Sequence, residues 1–169
     1  MELARRVHDR SRLTGTFILR SGQTATTYFD KYLLEGDPSL LRDVAEQLVP
    51  RIPHETEVLA GLELGGVPVA TALSLATGLP VTFVRKQAKT YGTARLAEGA
   101  DVTGKRVLVV EDVITTGGQV ARSTVGLRAL GARIDRVLCV IDRSGGDHAR
   151  LDDIDVRVDA LFTMADLER

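Results

Sequence analysis

The chain has 169 residues, a length that suits one domain of ordinary size. Hydrophobic residues make up 44% of it and charged residues 27%, a composition that excludes a disordered or fibrous protein. Twenty-two Lys and Arg residues against 23 Asp and Glu residues leave a net charge of −1, so the chain as a whole does not attract nucleic acid or an anionic membrane. We therefore expect a globular protein without nucleic-acid or membrane partners, in which a local group of cations binds any polyanion.

The cysteine content and the start of the chain point to a compartment. Cys139 lies in an apolar run and has no second cysteine to pair with, which indicates a buried thiol in a reducing compartment. Charged residues occupy the N-terminus where a signal peptide has an apolar core, and no apolar stretch approaches the ~18 residues of a membrane span. The sequence predicts a cytoplasmic protein.

The N-terminal part of the chain predicts two helices with a hairpin between them. Leu3 and Val7 indicate a short amphipathic helix, and the alternating, β-rich residues 14–34 predict a hairpin around a turn at Ser21–Gly22. Asp37 followed by Pro38 is typical of a helix start. The apolar face of this helix is predicted to contain Leu41, Val44, Ala45 and Leu48.

The rest of the chain alternates between short apolar runs and helix-like segments. Such runs are typical of parallel strands that are buried on both faces, and their alternation with helices predicts an α/β fold with right-handed crossovers. Residues 85–104 are polar, contain glycine and show no period, which predicts a long functional loop. The predicted strands are 58–60, 81–84, 106–110, 136–141 and 156–162, and the predicted helices are 67–77 and 118–130.

The most informative motif is a carboxylate pair followed by a Thr/Gly turn. Glu111 and Asp112 come directly after the apolar strand, and the turn at 115–119 opens a helix at the sheet edge where α/β proteins bind ligands. The backbone N–H groups of that turn would converge on an anion, and its glycines allow a close approach. The carboxylates suit vicinal sugar hydroxyls, or a metal ion attached to the same ligand. A capped turn with no ligand is the structural alternative, but two buried acids that bind nothing are costly. The motif favours a ligand with a phosphate beside a ribose.

Four further features have their own physical interpretation. Arg85, Lys86 and Lys89 place three cations within five residues, which suits a pyrophosphate group better than a merely solvated loop. Arg143 follows the strand after the carboxylate pair and could bind a planar carboxylate with both guanidinium nitrogens. Tyr28 and Phe29 could stack on a flat heterocycle or pack in the core. His8, His54 and His148 show no ligand spacing and are predicted to lie on the surface.

The segment 107–119 resembles the phosphoribosyl pyrophosphate (PRPP) signature of the type I phosphoribosyltransferases. Within this family the resemblance is closer to the enzymes that use orotate, through residues 17–22 with 28–30, residues 61–68 and residues 85–92. It implies a type I phosphoribosyltransferase fold in one domain, residues 1–169, with a mainly parallel central sheet flanked by helices. A small N-terminal hood would cover residues 1–36, and a flexible catalytic loop would cover residues 85–104.

The resemblance also implies an activity and its partners. The expected reaction transfers the 5-phosphoribosyl group from PRPP to orotate, giving orotidine 5'-monophosphate and pyrophosphate in pyrimidine (UMP) biosynthesis. Mg²⁺ would be held through PRPP and water, without direct protein ligands. A homodimer is implied, in which the 85–104 loop of one subunit completes the site of the other.

The resemblance assigns roles to individual residues. Lys89 is the expected main catalytic side chain, together with Arg85 and Asp112, and the loop at Leu64, Gly65 and Gly66 is expected to meet pyrophosphate. The residues expected to bind orotate are Tyr28, Phe29, Thr115 and Arg143. The residues expected to bind PRPP are Arg20, Arg85, Lys86, Lys89, Tyr91, Glu111, Asp112, Val113, Ile114, Thr115, Thr116, Gly117, Gly118 and Gln119. Arg20 stands where many relatives have lysine, and Tyr91 stands where histidine is common, which changes the geometry or charge of those two contacts.

Two other functions remain open. A purine phosphoribosyltransferase would share the phosphate turn, but Arg143 and the Tyr28–Phe29 pair favour orotate. A PRPP-sensing regulator would keep the turn without catalysis, but such proteins usually add a DNA-binding segment, for which a chain of 169 residues and net charge −1 offers little room or basic surface.

Overall fold

A computed structural model describes residues 2–18, 22–87 and 96–168 of the chain. The N-terminal part contains α1 (Glu2–Ser11), β1 (Arg12–Ile18), β2 (Thr24–Phe29), α2 (Lys31–Glu35) and α3 (Pro38–Leu48). Strands β1 and β2 pair antiparallel as a separate two-stranded sheet, as the hairpin prediction required.

The hairpin ends earlier than the sequence pattern predicts. Asp30 accepts a hydrogen bond from the backbone N–H of Tyr32 at 3.0 Å and caps α2, so residues 31–34 are helical rather than extended. Asp37 caps α3 in the same way, and Pro38 occupies its first turn as predicted. The buried face of α3 contains Leu40 where Leu41 was predicted, while Leu41 lies at the edge of the core.

The C-terminal part contains a six-stranded sheet with the order β5-β4-β3-β6-β7-β8. Among the six described strands of this sheet, β5 alone runs antiparallel to its neighbour. The elements are β3 (Val58–Leu62), α4 (Gly66–Thr77), β4 (Val81–Val84), β5 (Ala97–Gly99), β6 (Val107–Ile114), α5 (Gly118–Ala129), β7 (Arg136–Asp142), α6 (Ala149–Asp152), β8 (Arg157–Thr163) and α7 (Met164–Leu167). The predicted α/β fold with a mainly parallel sheet flanked by helices is confirmed.

Two boundaries differ from the prediction. Strand β5 lies inside the predicted 85–104 loop. The sequence did not predict this strand because its three residues are weak strand formers and show no alternating pattern. Strand β6 continues to Ile114, so Glu111 and Asp112 lie within the strand instead of after it. Val113 and Ile114 prolong the apolar run and keep this strand paired with β7.

The core has one layer on each face of the sheet, since side chains alternate along every strand. On β6, Leu108 and Val110 pack with α3 and α4, whereas Val107 and Val109 pack on the other face with Leu127 of α5. Cys139 is fully buried on the α5 face, as predicted. No helix in the described ranges has the length and apolar character needed to cross a membrane.

The strand register fixes the position of the functional loops. Gly61 of β3 pairs with Val110, and Ile114 at the end of β6 pairs with Asp142 at the end of β7. Because these strands are parallel, the segments that follow β3, β6 and β7 meet at one edge of the sheet.

Candidate active site

The carboxylates of Glu111 and Asp112 are almost entirely removed from solvent, with 7% and 0% of each residue exposed. Each is oriented by backbone donors, since Glu111 Oε1 accepts from the N–H of Asp112 at 3.1 Å and Asp112 Oδ1 accepts from the N–H of Val113 at 2.8 Å. Burial raises the pKa of Glu111 well above its usual range. The pair is therefore rigidly held at the ligand-binding edge of the sheet.

A lysine that the sequence analysis did not select neutralises Asp112. Lys31 Nζ of α2 lies 2.7 Å from Asp112 Oδ2. Burial opposes the charge on both groups, but hydrogen bonds outweigh it: those from Glu111, Glu35 and Lys31 lower the pKa of Asp112, and the bond to Asp112 raises the pKa of Lys31. Asp112 is thus an ionised carboxylate with a cation held against it.

The predicted pyrophosphate loop packs directly on this carboxylate. A Cβ atom at Gly65 would lie 1.9 Å from Asp112 Oδ2, and one at Gly66 would lie 2.3 Å from the carbonyl oxygen of Val110. Both positions require glycine because β6 occupies the space of a side chain. Leu64 precedes them and is 57% exposed, and its peptide bond with Glu63 is cis. The fold therefore brings together the loop at Gly65 and the Glu111–Asp112 pair, which were predicted from separate motifs.

Glu63 links this loop to the predicted cationic segment. Its Oε2 accepts a hydrogen bond from the backbone N–H of Lys86 at 3.0 Å, and its N–H donates to the carbonyl oxygen of Val84 at 2.8 Å. Arg85 and Lys86 therefore begin their segment beside the pyrophosphate loop. Arg20, Lys89 and Tyr91 lie outside the described residues.

The Thr/Gly turn opens α5 as predicted. Gly117 has a φ of 67°, in the left-handed region that favours glycine, and a Cβ there would approach Leu151 Cγ at 3.1 Å. Thr115 and Thr116 are exposed at the mouth of the turn. The side chain of Gln119 donates to Ser123 and accepts from Arg122 along α5. Its backbone N–H is therefore the group of this residue that can bind a ligand.

Arg122 and Arg150, to which the sequence analysis assigned no role, flank the Thr/Gly turn. Arg150 Nη1 lies 2.8 Å, and Arg122 Nη1 3.6 Å, from the position that a Cβ would take at Gly118. Arg122 comes one helical turn into α5, whereas Arg150 comes from α6, which only the tertiary fold brings near. The guanidinium groups add positive charge beside the N-terminus of α5, where the helix dipole already favours an anion.

The four residues predicted to bind the base line a single cavity. Tyr28, Phe29, Thr115 and Arg143 all line this cavity of about 450 Å³, and Lys31 lines it as well. An adjoining cavity of about 440 Å³ shares Tyr28, Phe29 and Arg143 and adds others, among them His8, Arg12 and Glu168. The ring of Phe17 supports Tyr28 at a centroid distance of 5.5 Å. A third cavity, of about 460 Å³ at the amino ends of the strands, contains none of the predicted site residues.

Asp142 and His148 hold the loop that carries Arg143. His148 Nε2 lies 2.9 Å from Asp142 Oδ2, and the N–H of Ser144 donates to Asp142 Oδ1 at 2.8 Å. Burial opposes ionisation of Asp142, but the bonds to Ser144 and His148 outweigh it and lower its pKa. His148 was predicted to be a surface residue, and its side chain is 24% exposed, but it also bonds Asp142 at the end of β7. The ring of His54 is 99% exposed, as predicted.

This combination of fold and site defines a phosphoribosyltransferase. The family model of the Phosphoribosyl transferase domain matches residues 38–162, and the chain belongs to that family. A protein from Mycobacterium tuberculosis H37Rv, solved as an orotate phosphoribosyltransferase in complex with PRPP, superposes with a TM-score of 0.84 at 30% identity, covering 99% of this chain and 98% of that one.

Sequence relatives narrow the class to the orotate phosphoribosyltransferases. One from Nocardioides sp. is 56% identical over 157 residues, which cover 93% of this chain and 88% of the relative. One from Halobacterium salinarum is 44% identical over 153 residues, covering 90% and 87%. Both are named orotate phosphoribosyltransferase, as the resemblance of the motifs predicted.

Proposed function

We propose that the chain transfers the 5-phosphoribosyl group from PRPP to orotate, releasing pyrophosphate and forming orotidine 5'-monophosphate for UMP synthesis. The observation that carries this proposal is the convergence of two predicted sites at one sheet edge. Thr115 belongs to the phosphate turn and also lines the cavity that holds Tyr28, Phe29 and Arg143. A ribose bound at the turn would therefore present its anomeric carbon to a base in this cavity.

Each part of PRPP has a matching group in the site. The 5-phosphate binds at the N-terminus of α5, where backbone N–H groups, the exposed threonines and the dipole of a 12-residue helix favour an anion. Glu111 and Asp112 accept hydrogen bonds from the ribose hydroxyls. The backbone at Leu64, Gly65 and Gly66 receives the pyrophosphate, because Gly65 packs against Asp112 and Gly66 packs against the Val110 carbonyl of β6.

The base cavity suits a flat anion. Tyr28 and Phe29 offer aromatic surface to a pyrimidine ring, and Arg143 can donate two parallel hydrogen bonds to the orotate carboxylate. The N–H of Arg143 donates to the carbonyl oxygen of Ile114 at 2.8 Å, which anchors this residue to the end of β6. A purine has no carboxylate for Arg143 to bind, so the cavity favours orotate.

The reaction breaks the bond between the anomeric carbon and the pyrophosphate oxygen while the orotate ring nitrogen, which gives up its proton to solvent before the loop closes, bonds to that carbon. Positive charge develops on the ribose and negative charge on the leaving pyrophosphate. Arg85, Lys86 and Lys89 stabilise the leaving group, with Lys89 as the main catalytic side chain. Closure of the 85–104 loop excludes water, which would otherwise take the ribosyl group and hydrolyse PRPP.

Mg²⁺ enters this proposal on PRPP itself. Among residues 2–18, 22–87 and 96–168 no group of three or more His, Cys, Asp or Glu side chains could hold a metal ion. Mg²⁺ commonly keeps several waters and binds substrate phosphates, so the pyrophosphate and water are its expected ligands. When bound there it neutralises charge on the leaving group. The chain contributes the loop and cations that receive the complex.

The remaining parts of the proposal concern organisation. Residues 1–169 form one catalytic domain in which residues 1–36 act as a hood over the base. Two copies assemble as a homodimer, and residues 85–104 of each complete the other's site. The free thiol of Cys139 suits the reducing cytoplasm.

A panel of bases tests the proposal. Purified protein is mixed with PRPP and Mg²⁺ and with orotate, hypoxanthine, guanine, xanthine, adenine or uracil, while pyrophosphate release and base consumption are followed. We expect turnover with orotate alone, its loss on chelation of Mg²⁺, and a decrease of about 10²- to 10³-fold for Lys89→Ala. Turnover with a purine instead would contradict the role of Arg143. PRPP binding without turnover on any base would favour a regulator.

A further inference from the structure

Glu35, the last residue of α2, is a buried acid that the mechanism above does not use. Only 9% of the residue is exposed. Its Oε1 lies 2.7 Å from the position that a Cβ would take at Gly65, and Asp112 Oδ2 lies 1.9 Å from the same point. The two carboxyl groups therefore converge on one spot beside the pyrophosphate loop.

This arrangement has too many acceptors unless one carboxyl carries a proton. Lys31 reaches Asp112 Oδ2 at 2.7 Å. Within the described part of the chain, no N–H or O–H group donates to the buried Oε1 of Glu35. Two ionised carboxylates in contact would repel each other, and a buried oxygen without a partner is costly. One proton on Glu35 removes both penalties, because its O–H can then donate to the Asp112 carboxylate.

The electrostatic surroundings agree with this state. Burial, followed by the hydrogen bond to Asp112 and the charge of Asp112, raises the pKa of Glu35 to about 9. The charged groups that face Glu35 are Asp112 and Asp30, which favour the proton, and Lys31, which opposes it. Asp112 keeps its negative charge because Lys31 and the hydrogen bonds from its neighbours lower its pKa.

We propose that Glu35 is a positioning residue that donates a hydrogen bond from its neutral carboxyl group to Asp112. Lys31 and Glu35 then hold the Asp112 carboxylate between them, turned toward the ribose hydroxyls of PRPP and packed on the loop at Gly65. The geometry of the Glu35–Asp112 pair stands on its own, whereas its effect on PRPP rests on the proposed function. Glu35 touches neither substrate and acts only through Asp112.

Two substitutions of matched length separate the hydrogen bond from simple packing. Glu35→Gln keeps a donor but has no titratable proton, whereas Glu35→Met fills the space without a donor. Glu46→Met, an exposed acid on α3, is the control. We expect Glu35→Gln and the control to keep kcat and the KM for PRPP within about twofold. Glu35→Met should raise the KM for PRPP about tenfold or more, with little change in the KM for orotate, because a charge-assisted hydrogen bond is lost.

Infrared spectroscopy tests the protonation state without relying on turnover or on the Met variant folding. At neutral pH the wild-type minus Glu35→Gln difference spectrum should contain the carbonyl band of a protonated carboxylic acid, and the control difference spectrum should not. A difference spectrum without that band would overturn the proposal even if the enzyme uses orotate. Equal losses in the Gln and Met variants, or a wild-type KM for PRPP in the Met variant, would also overturn it. The band would support the Glu35–Asp112 pair even if orotate were not the substrate.

Discussion

Gly65→Ala tests the packing of the pyrophosphate loop on Asp112. Gly65 has a φ of −67°, which alanine adopts freely, so the effect of the substitution comes from contact alone. The new Cβ would lie 1.9 Å from Asp112 Oδ2, and ordinary van der Waals contact begins at 3.4 Å, so the atoms must separate by about 1.5 Å. Either Asp112 moves away from Lys31, or the loop moves away from β6.

Both movements displace groups assigned to PRPP. A misplacement of about 1 Å in an active site can cost about 10²-fold, so we expect kcat/KM for PRPP to fall by about that factor. Overpacking should also lower the free energy of unfolding by about 1–3 kcal/mol. Steady-state kinetics at saturating orotate and thermal denaturation measure the two effects.

Gly78→Ala is the control for this substitution. Gly78 has a φ of 75° at the end of α4, and a Cβ there meets nothing within 4 Å. Backbone strain should destabilise this variant by roughly 1 kcal/mol and leave kcat/KM unchanged. Wild-type kcat/KM for PRPP in Gly65→Ala would refute the proposed contact between loop, carboxylate and substrate.

Three further predictions follow from the site and the core. Arg143→Lys should raise the KM for orotate about ten- to a hundredfold with the KM for PRPP unchanged, because lysine cannot replace a bidentate pair, and equal changes in both constants would contradict this role. Between its ordinary value of 4.5 and its folded pKa of about 9, Glu35 holds a proton in the folded chain that the unfolded chain has lost, so wild-type stability should fall as pH rises through this range. The melting temperature of Glu35→Gln, measured over the same pH values, should not show this fall. Equal pH dependence of the melting temperature in the wild type and in Glu35→Gln would refute the prediction. Burial raises the pKa of the Cys139 thiol and shields it, so a thiol reagent should modify the native protein no faster than it unfolds, and stoichiometric labelling within minutes would contradict the packing.

The sheet and the phosphate turn were predictable because their physical causes are local. Strands buried on both faces give short apolar runs, which located β3, β4, β6 and β7. A turn with glycines between a strand and a helix is typical of an anion site, which located residues 115–119. The parallel arrangement then placed Arg143 at the same edge of the sheet, where the structure has it.

The features that were missed depend on contacts between distant parts of the chain. Lys31 and Glu35 lie in a short helix whose charges are unremarkable until α2 packs against Asp112. Arg150 likewise comes near Gly118 only through the tertiary fold. The sequence shows where a charged residue lies along the chain, but it does not show which residue of another helix or strand will pair with that charge. The roles of Lys89, Arg20 and Tyr91, the Mg²⁺ ion and the homodimer stay predictions.

A crystal structure with orotidine 5'-monophosphate and pyrophosphate tests the central claim most directly. We predict the 5-phosphate at the N-terminus of α5, the ribose hydroxyls on Glu111 and Asp112, and the base carboxylate on Arg143 between the end of β7 and Tyr28. Pyrophosphate should lie on the loop at Gly65. A nucleotide bound elsewhere, or with its base outside the cavity that contains Arg143, would contradict the account.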